Sequence, residues 1–193
     1  MIADVLVLLK NCLNEHFKSL SVTGLDATED KVVFVGGVQN SKSYDFKLGA
    51  VSLILFNIER DVINRQADCF VRVDEDGSTR KVSPAINITL DILFVANFKD
   101  YEQSLHYLSF ILAYFRATRY LDRKNFPNLN PSIGHVVLEL NSLTMTQQHE
   151  LWGLLSSSYL PSLAYKVKAL SFVDDGEIPI TQITDVILNQ KQL

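Results

Sequence analysis

Val51 to Ile58 (Val-Ser-Leu-Ile-Leu-Phe-Asn-Ile) is apolar at nearly every position. A half-solvated strand alternates apolar with polar residues, so a run without a polar face reads as a strand covered on both faces. It turns abruptly polar at Glu59, Arg60, Asp61, Asn64 and Arg65. A second, longer strand follows Pro84. Ile86, Ile88, Leu90 and Ile92 alternate with Asn87, Thr89 and Asp91, so one face starts out wet. From Ile92 to Ala96 the run is apolar throughout, which predicts an end buried on both sides.

The remaining elements are placed by periodicity and punctuation. Ile2, Val5, Leu6, Leu9, Leu13, Phe17 and Leu20 recur at three- and four-residue steps. That spacing predicts an amphipathic helix over 2–20, stopped by Ser21 to Gly24. Lys31 to Val35 is a short strand ended by Gly36 and Gly37, and Gln39 to Lys47 a loop. Cys69–Val73 and Thr79–Val82 flank Asp76-Gly77, a hairpin turn signal. Asp100 with Gln103, and Thr144 with Gln147, have capping-box spacing and open two further helices. The first carries a stripe of Tyr101, Leu105, Leu108, Leu112 and Phe115, widened by Tyr107, Phe110, Ile111 and Tyr114. Only Glu102, His106 and Ser109 read as comfortably wet, so this helix is either sandwiched within the domain or partly covered by a partner. The second runs through Trp152 to Leu155 and ends near Ser156–Ser158. Asn125–Pro131 is a turn-rich connector, Val136–Leu140 a strand, and Leu163–Val173 a last long strand with Lys166 and Lys168 on one face. Together these predict a single α+β domain over residues 1–176, a mixed β-sheet packed by two to three helices. Residues 177–193, with Ile178, Ile180, Ile183, Val186 and Ile187, form a C-terminal tail apolar enough to dock on the body or on a neighbour.

Composition excludes several function classes. A net charge of −4 and a pI near 5.5 argue against a nucleic-acid partner, which needs a basic surface. Cys12 and Cys69 are too few and too scattered for a disulfide framework or a zinc site, and the expected compartment is the reducing cytoplasm. The apolar start of the chain is interrupted by Asp4 and lacks a basic lead-in. No stretch reaches the ~18 apolar residues of a membrane helix, so no membrane partner is expected.

No motif carries chemistry. His149-Glu150 starts like a zincin helix, but the second histidine position holds Gly153. Asp74-Glu75-Asp76-Gly77 lacks the later ligands of a calcium loop. Gly36-Gly37 has no phosphate-loop or dinucleotide fingerprint around it, and no nucleophile elbow is present. No catalytic residue, metal or cofactor is therefore expected. Trp152, near Tyr159 and Pro161, reads as core. The mixed charges of Glu59, Arg60, Asp61, Asn64 and Arg65, at the end of a buried strand, read as a solvated rim or as an intersubunit patch. Tyr107 and Tyr114 on the over-apolar helix, and Ile178 and Ile180 in the tail, are the other candidate contact residues.

Five segments in this order resemble a known family: Val51 to Asp61; Pro84 to Phe94 leading into Ala96, Asn97 and Phe98; Tyr101 to Ser109; Leu151-Trp152-Gly153; and Tyr159 to Ser162 with Tyr165 to Val167. They resemble the N-terminal domain of the cap, or tail-terminator, proteins of phage-tail-like contractile injection systems, in the Bacteroidetes-type branch. The resemblance implies a non-enzymatic subunit of a ring, typically a homohexamer. Such a ring sits on the end of the inner tube, touches the last sheath layer and ends polymerisation. The rival readings are a monomeric assembly adaptor or chaperone, with one apolar groove, and a small enzyme whose site is assembled from distant residues.

Overall fold

A computed structural model of the chain describes residues 2–20, 29–36, 44–60, 71–73, 79–81, 86–127, 129–130, 133–172 and 178–179. In chain order the elements are α1 (Ile2–Leu20), β1 (Val32–Phe34), β2 (Ala50–Arg60), β3 (Val71–Val73), β4 (Thr79–Lys81), β5 (Ile86–Asn97), α2 (Tyr101–Ala117), β6 (Tyr120–Asp122), β7 (His135–Asn141), α3 (Met145–Leu154), β8 (Ser162–Phe172) and β9 (Ile178–Pro179). Six strands form one sheet in the order β1-β2-β5-β8-β7-β6, and β3-β4-β9 form a second. The large sheet is mixed: β1 runs parallel to β2, and every other pair is antiparallel.

The doubly apolar runs sit near the centre of this sheet, with helices on both faces over Ala50–Ile54 of β2 and Leu90–Ala96 of β5. Leu90, Ile92, Phe94 and Ala96 of β5 point into a core closed by α1 and α2. The intervening Leu93 and Val95 point into a second core under α3, with Ile54, Phe46, Leu151, Trp152 and Ala164. Each large side chain buried in this way contributes roughly 1.5–3 kcal/mol. Helix α1 buries the predicted stripe Val5, Leu9, Leu13 and Phe17. It also buries Asn14, whose Nδ2 donates to the Val32 carbonyl at 3.0 Å and whose Oδ1 accepts from the Val32 amide at 2.8 Å. One carboxamide thus pins the helix to the first strand.

Both predicted N-caps form, but the box expected of Asp100 with Gln103 does not: the cap is Asp100 alone. Asp100 accepts from the Glu102 amide at 3.1 Å. At α3 the box is reciprocal, with the Gln147 amide donating to Thr144 Oγ1 at 3.3 Å and the Thr144 amide to Gln147 Oε1 at 2.9 Å.

The structure corrects four further sequence expectations. The buried face of α2 is Ser104, Tyr107, Leu108, Ile111 and Phe115, while Tyr101, Leu105 and Leu112 are exposed. The helix is turned by about a residue because so many of its positions are apolar that periodicity has two nearly equal solutions. The run 51–58 is not covered on both faces throughout: Asn57 and Ile58 are exposed, and the strand ends in Glu59 and Arg60, opposite Thr89 and Ile88. The 125–131 connector supplies core, with Leu129 and then Ile133 buried beside Leu121. Strand β6, three residues long, is too short to show a period. The hairpin pairs as expected, Val73 with Thr79, and its turn lies outside the described residues. The start of the tail, Ile178–Pro179, pairs with β4.

Candidate assembly interface

A one-residue irregularity sets the chemistry of the exposed half of the sheet. The β2–β5 register shifts between Leu55 and Asn57, leaving Phe56 as an extra residue. Alternation reverses at such a bulge. Before it, odd-numbered residues of β2 (Val51, Leu53) face α1 and α2; after it, Asn57 and Glu59 face the α3 side and Ile58 the helix-pair side, opposite Leu90.

This places a row of charged and polar groups across the sheet, beyond the reach of α3. Asn57 stands opposite Asp91, Asp91 opposite Lys166, and Lys166 opposite Glu139. Asn57 Nδ2 donates to Asp91 Oδ2 at 3.0 Å and to Glu59 Oε1 at 3.1 Å. Lys166 Nζ lies 3.1 Å from Glu59 Oε2 and 3.5 Å from Asp91 Oδ1. Glu139 receives Lys168 at 2.8 Å and Arg119 at 2.9 Å. The hydrogen bond from Lys168 is the main cause holding the Glu139 carboxyl below its usual range, with Arg119 adding to it. The Lys166 ammonium is held above its usual range chiefly by its bond to Glu59. Asp91 is the buried member, its side chain only 4% exposed, and its Oδ1 has no hydrogen-bond partner among the described residues.

On the opposite face, at the two edges of the sheet, apolar side chains are left open. Ile58 on β2 and Leu140 on β7 are each 51% exposed. Tyr101, Leu105 and Leu112 make an exposed apolar ridge along α2, and Met145, Leu154 and Tyr159 are exposed around α3.

The candidate contact residues are placed unevenly. Glu59 and Arg60 stand exposed at the end of β2. Asp61, Asn64, Arg65 and Ile180 lie outside the described residues, and for Ile178 the backbone pairing with Lys81 is what the structure gives. Tyr107 is not on the surface: it is 2% exposed, stacked on Phe98 at 4.5 Å and edge-on to Phe17 at 5.2 Å. Tyr114 is half-buried against α1, with its ring 4.7 Å from His16. Burial is the main cause pushing its phenol up to about 12, with neighbouring Cys12 adding; burial likewise raises the Cys12 thiol. Both tyrosines are spent on packing α2 against α1. Sequence reasoning missed Asn57, Asp91, Glu139 and Arg119. The wet alternation of Asn87, Thr89 and Asp91 and the Lys166/Lys168 pair were its visible traces.

The rest of the surface offers little chemistry. Among the described residues no three His, Cys, Asp or Glu side chains cluster as a metal site, and no helix is long and apolar enough to cross a membrane. His149 is exposed, and His106 pairs with Glu102 at 3.5 Å on the surface. A cleft of about 610 Å³ between α1 and the connector is lined by Asp4, Asn11, Cys12, Glu15, Asn125 and Phe126; the Cys12 thiol there is held up by burial, away from the reactive thiolate form.

The fold can be compared with known proteins. The anti-feeding prophage cap (tube-terminating cap) is 18% identical, with a TM-score of 0.50, over 72% of this chain and 48% of that one. The sheath/tube terminator of an extracellular contractile injection system (PVC) in its extended state is 18% identical, with a TM-score of 0.53, over 100% of this chain and 65% of that one. The chain thus spans about half to two-thirds of the length of these structures, and the likeness is one of fold. No curated protein matches the chain. The family model of the Pvc16 N-terminal domain matches residues 4–183. With nearly the whole chain matched, and with a mixed sheet carrying helices on both faces as its fold, this protein belongs to the Pvc16 N-terminal domain family.

Proposed function

We propose that this chain is a structural subunit that terminates the tube and sheath of a contractile injection system, closing as a ring of copies, sixfold as in the resemblance noted above. Its partners are then copies of itself, the last tube layer and the last sheath layer. It acts without catalysis or cofactor, in the cytoplasm where the particle is built. The observation that carries this reading is the family match over residues 4–183. The terminator folds of the two similar structures support it. Physical chemistry is in accord: a growing stack ends when a subunit matches one side and offers no new template on the other. Short edge strands and charge at strand ends are how sheets refuse further pairing. The contact surfaces we assign are the rim at Glu59 and Arg60, continuing in sequence through Asp61, Asn64 and Arg65, and the chain around Ile178 and Ile180.

Two measurements on the purified chain test the proposal. Light scattering over a concentration series, alone and with purified inner tube, reads ring formation. Electron microscopy of tubes polymerising with and without the chain reads termination. A ring at tube ends and shorter tubes are expected. Tubes of unchanged length with bare ends would overturn the reading, and a monomer bound at one tube-subunit site would favour an assembly adaptor.

A further inference from the structure

Helix α2 carries a second ordered face besides the one it buries. Tyr107, Tyr114 and Phe115 are spent against α1 and the sheet. On a different side of the helix, Glu102, Leu105, Ser109, Leu112 and Arg116 are all exposed. They follow one another at alternating three- and four-residue steps, the spacing of a coiled-coil seam, which runs as one line along a helix. Leu105 and Leu112 are 43% and 42% exposed, and Tyr101, at the margin of the same line, is 64% exposed.

The line is complementary to itself. Its charges stand at opposite ends, Glu102 in the first turn and Arg116 in the last. The midpoint of that pair in the sequence is Ser109, and the midpoint of Leu105 and Leu112 falls beside it. A two-fold axis at Ser109 therefore sets each Glu102 level with Arg116 of a second copy, and each Leu105 level with Leu112 of that copy. Ser109 suits such a centre. It is small, and the distance between packed helices is set by the side chains at their contact. Its hydroxyl already donates to the Leu105 carbonyl at 2.8 Å, so covering it strands no donor.

We infer that two copies of the free chain join through this line, as an antiparallel pair of α2 helices. The contact covers Leu105 and Leu112 of both copies and pairs Glu102 with Arg116 twice. It also brings Tyr101 close to the level of the same arginine, whose guanidinium a ring face attracts. An isologous two-fold contact closes with two copies. The dimer is therefore a form of the chain off the tube, and it goes beyond the terminator reading without resting on it.

Sedimentation equilibrium on the full-length chain without tube reads the mass, and a single cysteine reads the axis. Ser109→Cys is made in a Cys69→Ser background, where the remaining Cys12 is buried. On a two-fold axis a cysteine meets its own counterpart. Helices packed about 8–10 Å apart bring a central seam position within the roughly 7 Å between Cα atoms that a disulfide spans. A dimer is expected, with Ser109→Cys oxidising to a covalent dimer at least about tenfold faster than His149→Cys, which is exposed on α3 across the sheet. Glu102→Arg and Arg116→Glu should each weaken the dimer by about tenfold, and both changes in one chain should restore it. These are exposed positions, where substitution leaves the fold in place. A chain that is monomeric at every concentration overturns the dimer. So does a multimer in which the two cysteines oxidise at the same rate. Termination is read separately, by electron microscopy of tube ends, so either failure leaves the terminator reading standing.

Discussion

Glu59 and Lys166 are joined at 3.1 Å although they sit on strands that do not touch, with β5 between them. The two side chains reach toward each other over Asp91 and, with Asn57, close it from water. The bulge at Phe56 makes this possible, because without the extra residue Glu59 would point to the helix-pair face. The charged row is therefore a lid built from side chains, with the lysine stem supplying much of the cover.

Lys166→Met tests that lid. It leaves the Asp91 carboxylate buried without its cation. Breaking a fully buried pair costs roughly 3–5 kcal/mol; since Lys166 stays a third exposed, a loss of about 2–3 kcal/mol is expected. Adding Asp91→Asn should recover most of it. Urea unfolding with unchanged m-values reads both. A single variant within about 0.5 kcal/mol of wild type would show that solvent, not Lys166, neutralises Asp91.

Acid should weaken the fold through Glu139. Its carboxyl is held below the ordinary glutamate value of 4.5 by Lys168 and Arg119. Around and below that value the unfolded chain therefore binds more protons than the native one, so stability falls as pH falls. The contribution is complete above the unfolded pKa and is lost as pH drops through the folded one. Glu139→Gln should flatten the stability curve between about pH 5 and pH 3 relative to wild type. Parallel slopes would place the acid sensitivity elsewhere, Asp30 with its Lys18 partner being the next group to replace.

Asn14 should be among the costliest single polar positions. Removing its side chain by Asn14→Ala breaks two hydrogen bonds and strands both backbone groups of Val32 in a buried site. An expected loss of about 2–4 kcal/mol follows. Native-state hydrogen exchange at the Val32 amide should rise with it. If exchange there is unchanged, another acceptor has taken over.

How far the sequence foresaw this follows from what each signal measures. Continuous apolar runs located β2 and β5 because burial on both faces leaves no room for a polar residue. N-cap signals located the starts of α2 and α3 because a few neighbouring residues complete the chemistry. The rotation of α2 was not legible, since Leu105 and Tyr107 are equally apolar and only the packed sheet chooses between them. Nor was the charged row, because its members come from four strands and the β6 approach, aligned by a bulge that no local pattern announces.

Trp152 reports the smaller core. It is the chain's single tryptophan, packed against Phe46 at 5.9 Å and Tyr159 at 5.6 Å. Its side of the sheet shares β5 with the larger core, so fluorescence and far-UV circular dichroism should give one coincident unfolding transition. Trp152→Ala should cost about 3–5 kcal/mol. Fluorescence melting ahead of circular dichroism would instead show that α3 and its core detach first.

Tyr107 and Leu105, two residues apart on α2, should separate folding from assembly. Tyr107 is enclosed by Phe98, Phe17 and Phe110, so Tyr107→Ala should cost about 3 kcal/mol or more through the cavity it leaves. Loss of assembly in that variant would then follow from unfolding. Leu105 is 43% exposed on the outer ridge, where a substitution normally changes stability by less than about 0.5 kcal/mol. Leu105→Glu should therefore melt like wild type. If the ridge it shares with Tyr101 and Leu112 is covered in the assembled particle, the same change should weaken assembly by about tenfold or more, since a carboxylate would be left buried without a partner. Melting temperature and light-scattering mass on one sample distinguish the cases. An unchanged mass at an unchanged melting temperature would assign the ridge to solvent and leave the β2 rim at Glu59 and Arg60 as the contact surface to test next.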